Sequence, residues 1–247
     1  MGLSVFVSGS WIVLSVAALG VLACGVATSL LIARLLGRSQ ATAKAYLSSM
    51  PYATTAMLAL FLGFMASDIW SENRRANDVA GMERLALERL VRLAEAGDIA
   101  FDGLAQAIAN YRVAVIEQEW GSNRNVSPAA SVSDALDAMW RIALASTQEG
   151  ADPGLSSALA AAVEALETHR ESRLNIGRFH DYAPWFIVFV LAYFSCCAFA
   201  LAHLDRPKAA HANLMLFVAM MLLVFVFLAL FDGPYEGFAL SPTILAR

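Results

Sequence analysis

Apolar and polar positions segregate along this chain into four uncharged stretches and one long amphipathic interval. The stretches are Trp11–Ala33, Ala45–Ser67, Tyr182–Ala202 and Ala212–Phe231. Each holds about 20 residues or more, and a hydrocarbon core needs about 20 helical residues at a rise of ~1.5 Å. The pattern predicts four transmembrane helices, arranged two and two around the polar interval. It gives an all-α chain with a hairpin over 1–70, an extramembrane four-helix domain over 71–181, a second hairpin over 182–232 and a tail over 233–247.

Within the polar interval the apolar period is helical. Between Tyr52 and Ala80 only Gly63 could interrupt a helix, so span two is expected to run on past Ser67 as a stalk. Val79, Met82, Ala86, Leu90 and Leu93 recur at spacings of three and four, the stripe of an amphipathic helix ending near Ala96. Glu83, Arg84, Glu88, Arg89 and Arg92 are expected on its other faces. Gly97-Asp98 reads as a stop and a new start. A second helix, Ile99 to Trp120, sets Ile108, Tyr111, Val115 and Ile116 on one side. Gly121 to Pro128 is a loop by composition. A third helix is expected from Ser131 or Ser133, either of which suits an N-cap, to Thr147. Glu149 to Gly154 is a turn, and a fourth helix, Leu155 to Arg178, carries Leu159, Val163, Leu166 and Leu174. Pro184 falls in the first turn of span three, where it is tolerated.

Composition sharpens the membrane reading. The 247 residues are 59% apolar and 15% charged, against about 25% charged in a soluble domain. The charge is concentrated: Glu72 to Asp181 holds 17 acidic and 11 basic residues, a net of −6, against −4 for the whole chain. No basic patch or stripe suggests nucleic acid as a partner. The partners expected are the lipid bilayer and inorganic ions. The start MGLSVFVSGS lacks the basic region of a signal peptide, so the first stretch is read as a retained span, and Phe6 stands where a myristoylation motif needs Ser or Thr.

Orientation follows from the short loops. Arg34, Arg38 and Lys44 flank one, Arg206 and Lys208 the other, and the N-terminal tail is uncharged. The positive-inside rule then places both loops in the cytoplasm and the helical domain and termini outside. The plasma membrane, bacterial inner membrane in particular, is the expected location.

Candidate chemistry is sparse. Met57, Leu60, Phe64 and Asp68 share one face of span two. In a ring of subunits the apolar three would form a constriction, and Asp68 a charged ring at its mouth that favours cations. The alternative is plain packing against another span, with Asp68 marking the membrane boundary. Gly63, beside this face, would permit close helix approach. Tyr111, Glu119 and Trp120 are expected to tie the domain to the membrane surface or to span one. Arg170, Arg173 and Arg178 suit lipid phosphates or a vestibule. Cys24, Cys196 and Cys197 all lie in spans, without metal-ligand spacing. His169, His180, His203 and His211 are scattered, so no metal is expected. Asn125-Val126-Ser127 fits a glycosylation acceptor. No nucleophile elbow, P-loop or zinc-protease motif is present, so neither an enzyme nor a cofactor is expected.

Four local patterns together resemble the bestrophin-like domain family of multi-pass membrane proteins. They are the closing Asp232-Gly-Pro234-Tyr-Glu-Gly237 with Ser241-Pro242, the stalk with Trp70, Asn77-Asp78-Val79-Ala80, Glu83 and Leu90, the motif Tyr111, Val115, Glu119-Trp120, and Arg170 with Arg173-Leu174 before Pro184-Trp185. Tyr235 stands where Phe is more usual. The resemblance covers Leu58 to Pro242 and implies a structural part for these motif residues. It also implies a homo-oligomeric ion channel, a ring such as a pentamer, with no sign of a calcium clasp. Bestrophins hold their helical region in the cytoplasm, which conflicts with the charge-based orientation above. The competing function is a non-conducting sensor or scaffold that binds a partner or small ligand through the helical domain.

Overall fold

The computed structural model describes residues 10–36, 50–96, 101–122, 124–148, 152–178, 182–202, 207–235 and 240–246. Several positions read above lie outside the described residues: the first nine, Arg38, Lys44, Gly97-Asp98, Glu149, His180, His203, Arg206 and Gly237. Among the described residues the chain is helical, without strands. The helices are α1 (Ser10–Leu36), α2 (Met50–Ala96), α3 (Leu104–Ala114), α4 (Ala130–Gln148), α5 (Pro153–Arg178), α6 (Ala183–Ala202), α7 (Pro207–Phe231) and α8 (Thr243–Ala246). A π-helical segment, Val115–Ser122, follows α3 directly. Among the described residues four helices are long and apolar enough to cross a membrane. The protein is an all-α, multi-pass membrane protein.

α2 is one uninterrupted helix of 47 residues, more than twice what a bilayer needs. Pro51 sits in its first turn, where the missing N–H costs nothing. The chain divides into two compact units, residues 1–71 with 181–232 and residues 72–180 with 233–247.

In the first unit α1 packs against α6 and α7. Leu14, Ala18 and Leu22 of α1 share a buried cluster with Leu58, Leu62, Met65 and Ile69 of α2 and with residues of α6 and α7. Lipid tails are as apolar as these side chains, so close fit and polar contacts must hold the spans together. α1 meets α6 through small residues. A Cβ on Gly25 would stand 2.9 Å from the Cβ of Cys196, so only glycine allows this approach. One turn on, the buried Ser29 hydroxyl lies 2.6 Å from the Gly25 carbonyl and 3.0 Å from the Cys196 carbonyl. Thr28 and Tyr193 add a hydroxyl pair at 3.2 Å. Gly63, the glycine expected to allow close approach, has nothing within 4 Å of its would-be Cβ.

In the second unit burial of apolar area drives the packing. Its core takes Ala76, Ala80, Leu87 and Leu90 from α2, Leu104, Ile108 and Tyr111 from α3, Val132, Leu136 and Met139 from α4 and Leu159, Val163 and Leu166 from α5. The tail joins it through Tyr235, Leu240 and Leu245. The stalk stripe differs from the sequence expectation: Met82 is half exposed, while Glu83 is fully buried. The buried positions follow the residues that face α3 and α5, and hydropathy alone does not mark Glu83 as one of them. α3 begins at Leu104, after Gly103 with φ 82°. α4 begins at Ala130, so Ser131 and Ser133 fall inside its first turn rather than capping it. A carboxylate reached from elsewhere takes the capping role, as described next.

Candidate functional site

The α2 face named from sequence is uncovered. Met57, Leu60 and Phe64 are 53%, 57% and 65% exposed, and Asp68 is exposed one turn further on. The opposite face, Leu58, Leu62, Met65 and Ile69, is buried. Packing of Met57, Leu60 and Phe64 against another span of the same chain is therefore not what the fold does. Beside this face, Ala59, Gly63, Ala66 and Trp70 of α2 and Leu223 and Phe227 of α7 line an apolar groove of about 410 Å³. Trp70 closes one end by stacking on Phe231 at 5.7 Å, with Phe227 at 6.0 Å.

α7 ends at a designed stop. Gly233 adopts φ 86°, the left-handed conformation of a helix C-terminus, and Pro234 cannot continue the helix. Asp232 accepts a hydrogen bond from the buried Trp185 indole at 2.9 Å, tying the end of α7 to the start of α6. In the other unit, Pro234 and Tyr235 are buried, and Tyr235 meets Trp120 edge-on at 5.3 Å.

The second unit encloses a charged cluster that sequence spacing did not bring together. The π-helical segment is wider than an α-helix, with i→i+5 bonding. It turns two consecutive residues, Glu119 and Trp120, into the core. Glu83 faces them from α2, and Arg170 and Arg173 from successive turns of α5. Arg173 donates through Nε to Glu83 Oε2 at 2.6 Å and through Nη2 to Glu119 Oε2 at 2.7 Å. Its Nη1 donates to Asn125 Oδ1, and its guanidinium lies 5.8 Å from the Trp120 ring. Arg170 donates to Glu119 Oε1 from Nε at 3.0 Å and Nη2 at 2.5 Å. The Tyr111 hydroxyl donates to Glu83 Oε1 at 2.7 Å. Glu119 Oε1 also accepts the Ala129 N–H at 3.1 Å, which places a carboxylate at the N-terminus of α4.

Two acids and two arginines make the cluster neutral, and each carboxylate holds several donors. Burial alone would raise the Glu119 carboxyl, but the Arg170 hydrogen bond and the charge and hydrogen bond of Arg173 outweigh it and hold it below the usual range. Burial disfavours the Arg173 charge, but Glu83 lifts its affinity for the proton above the ordinary value. Burial pushes the Tyr111 phenol well up, and the neighbouring Glu83 charge adds to this. Tyr235 is pushed up by burial, with Arg173 partly offsetting. At neutral pH Glu119 and Arg173 are charged while both phenols stay protonated. The cluster therefore clamps α2, α3, the π-helical segment, the segment before α4 and α5 together.

This overturns three sequence expectations. Arg170 and Arg173 are buried among carboxylates and do not reach lipid phosphates. Arg178 donates to the Val126 carbonyl at 2.9 Å. Tyr111, Glu119 and Trp120 stay inside the domain, so they do not tie it to the membrane surface. Asn125 is fully buried at φ 57°, so the folded domain does not present it as a glycosylation acceptor. Gly177 makes room for it: a Cβ there would collide with the Asn125 carbonyl. Glu83, Arg170, Arg173, Asn125 and Gly177 are the site residues whose part in this cluster the sequence reading missed. The signal for Glu83 and for both arginines was a charge recurring at the helical spacing of an apolar stripe.

No curated protein and no solved structure matches the chain significantly. The model of the Bestrophin-like domain matches residues 19–244, which include the stalk, the cluster and the closing Asp232-Gly-Pro. The chain belongs to the Bestrophin-like domain family.

Proposed function

We propose that this protein is an ion-conducting channel rather than an enzyme, assembled from several copies around the exposed face of α2. Membership of the family points to an ion channel at the level of the family. The observation that carries the finer reading is the uncovered face itself. Met57, Leu60 and Phe64 remain exposed along α2 while the opposite face is packed. Asp68 follows at the same spacing. In a closed ring the three apolar side chains form a narrow neck that resists wetting, and a ring of Asp68 carboxylates concentrates cations beside it. A cation preference follows. By the charge of the short loops the helical domain lies outside a bacterial inner membrane.

The test is ion flux from liposomes holding the purified protein, with potassium, sodium and chloride gradients imposed separately. Flux with a cation preference that Asp68→Asn reduces, and basal flux that Phe64→Ala raises, supports the pore. Unchanged flux in both variants removes α2 from the pathway. No flux from folded, oligomeric protein favours the scaffold.

A further inference from the structure

The second unit also holds a cavity of about 270 Å³ that none of the cluster residues lines. Val91 and Ala94, near the end of α2, and Ala105, Ile108 and Ala109 of α3 give it hydrocarbon walls. The three alanines leave the space that longer side chains would fill. Two charged residues complete the lining: Arg112, one turn past Ile108, and Glu95, one turn past Val91. The two differ in their surroundings. Glu95 is exposed to solvent. Arg112 is half buried, and its Nε is shut off from solvent without a hydrogen-bond partner. Among the described residues its guanidinium enters no ion pair. The buried Arg170 and Arg173 of the same unit are, by contrast, matched by carboxylates. A buried donor left without an acceptor is costly, so this one calls for an acceptor from outside the chain.

We propose that this cavity binds a small aliphatic monocarboxylate, with its carboxylate on Arg112 and its hydrocarbon tail against Val91, Ala94 and Ile108. A guanidinium presents parallel N–H donors that match the two oxygens of a carboxylate. Water alone is a poor occupant, because a buried water needs two to four polar partners and the walls beside Arg112 are hydrocarbon. Size limits the ligand. At about 30 Å³ for a group the size of water, the cavity holds roughly nine such groups, which suits a carboxylate with about six carbons. Charge limits it as well. Glu95 on the same lining opposes a second carboxylate, and the interval Glu72 to Asp181, with 17 acidic and 11 basic residues, disfavours a polyanion. The binding needs neither conduction nor assembly.

The test is isothermal titration of the detergent-solubilised protein at neutral pH with hexanoate, hexanedioate and hexylamine. Hexanoate should bind, hexanedioate should bind more weakly, and hexylamine should not bind. Arg112→Gln should weaken hexanoate about tenfold or more, the worth of one hydrogen bond to a charged group. Ala105→Phe and Ala109→Phe place a ring in the cavity from exposed positions. Each should abolish binding while the melting temperature of the unliganded protein holds. Leu144→Phe, at an exposed position on α4, should bind as the parent does. A micelle takes up hexanoate whatever residue stands at position 112, so affinity unchanged in Arg112→Gln overturns the proposal. Hexylamine bound as tightly as hexanoate, or a parent chain that binds no hexanoate, overturns it too. The titration imposes no ion gradient, so its result stands whether or not the protein conducts.

Discussion

Arg173 and Glu83, ninety residues apart in sequence, meet through a 2.6 Å charge-assisted hydrogen bond with both side chains fully buried. Removing one member of such a pair strands the other charge, typically at a cost of about 3–5 kcal/mol. Here the loss is compounded, because Arg173 also serves Glu119 and Asn125. Arg173→Met should therefore leave a poorly folded domain, seen as a large drop in the melting temperature of the detergent-solubilised protein. Arg173→Lys should fare little better, since an ammonium cannot span two carboxylates as the planar guanidinium does. A melting temperature unchanged in either variant would contradict the buried geometry.

Tyr111→Phe isolates a single bond. It deletes the hydroxyl that donates to Glu83 Oε1 and little else. Glu83 keeps Arg173 on both oxygens, so the acid is not orphaned. The expected loss is that of one hydrogen bond to a charged group, about 1.5–3 kcal/mol, well below that of Arg173→Met. Chemical denaturation of the two variants side by side gives the ranking. Equal losses would show that the hydroxyl, and not the ion pair, holds Glu83.

Acid should loosen the domain. The Glu119 carboxyl is held below its ordinary value, so the unfolded chain takes up that proton first as pH falls. The stability it contributes is complete above the unfolded carboxylate value of about 4.3. It is lost as pH drops from there through the lower folded-state value. Glu119→Gln removes this group, so its stability curve should be flatter below about pH 4.3, although lower at neutral pH. Melting temperatures taken across that window test the sign. A variant as acid-sensitive as the parent would assign the acid response to other carboxylates.

The spans and the stalk were legible because hydropathy and period act locally, and Trp11–Ala33 or Tyr182–Ala202 needs no tertiary knowledge. The cluster was legible only as separate motif residues. Glu119 and Trp120 enter the core from a π-helical segment, and no residue type announces it. Arg170 and Arg173 read as lipid-facing because a lone arginine usually seeks water or phosphate. Their burial depends on Glu83 and Glu119 arriving from two other helices. The serines expected to cap α4 lost that role for the same reason, since the Glu119 carboxylate reaches the Ala129 N–H first. The period of a helix marks a charge that shares its buried stripe, but not the charge on another helix that it meets.

Gly25 and Gly63 are both glycines inside a span, yet they should respond oppositely to substitution. An alanine methyl at position 25 would stand 2.9 Å from Cys196 Cβ and 3.3 Å from its Sγ, closer than carbon atoms pack. Either α1 and α6 separate, which stretches the Ser29 contact to the Cys196 carbonyl, or the helix bends. Overpacking of this kind costs about 1–3 kcal/mol. At position 63 the added methyl meets open space, and a better helix former replaces a poorer one. Gly25→Ala should lower the melting temperature in detergent, and Gly63→Ala should leave it unchanged or raise it. Cys196→Gly combined with Gly25→Ala removes the colliding Cβ, so the double variant should lose less stability than the two single losses add up to. Additive losses would mean that the methyl at position 25 is accommodated elsewhere and that α1 and α6 are not in the close contact described.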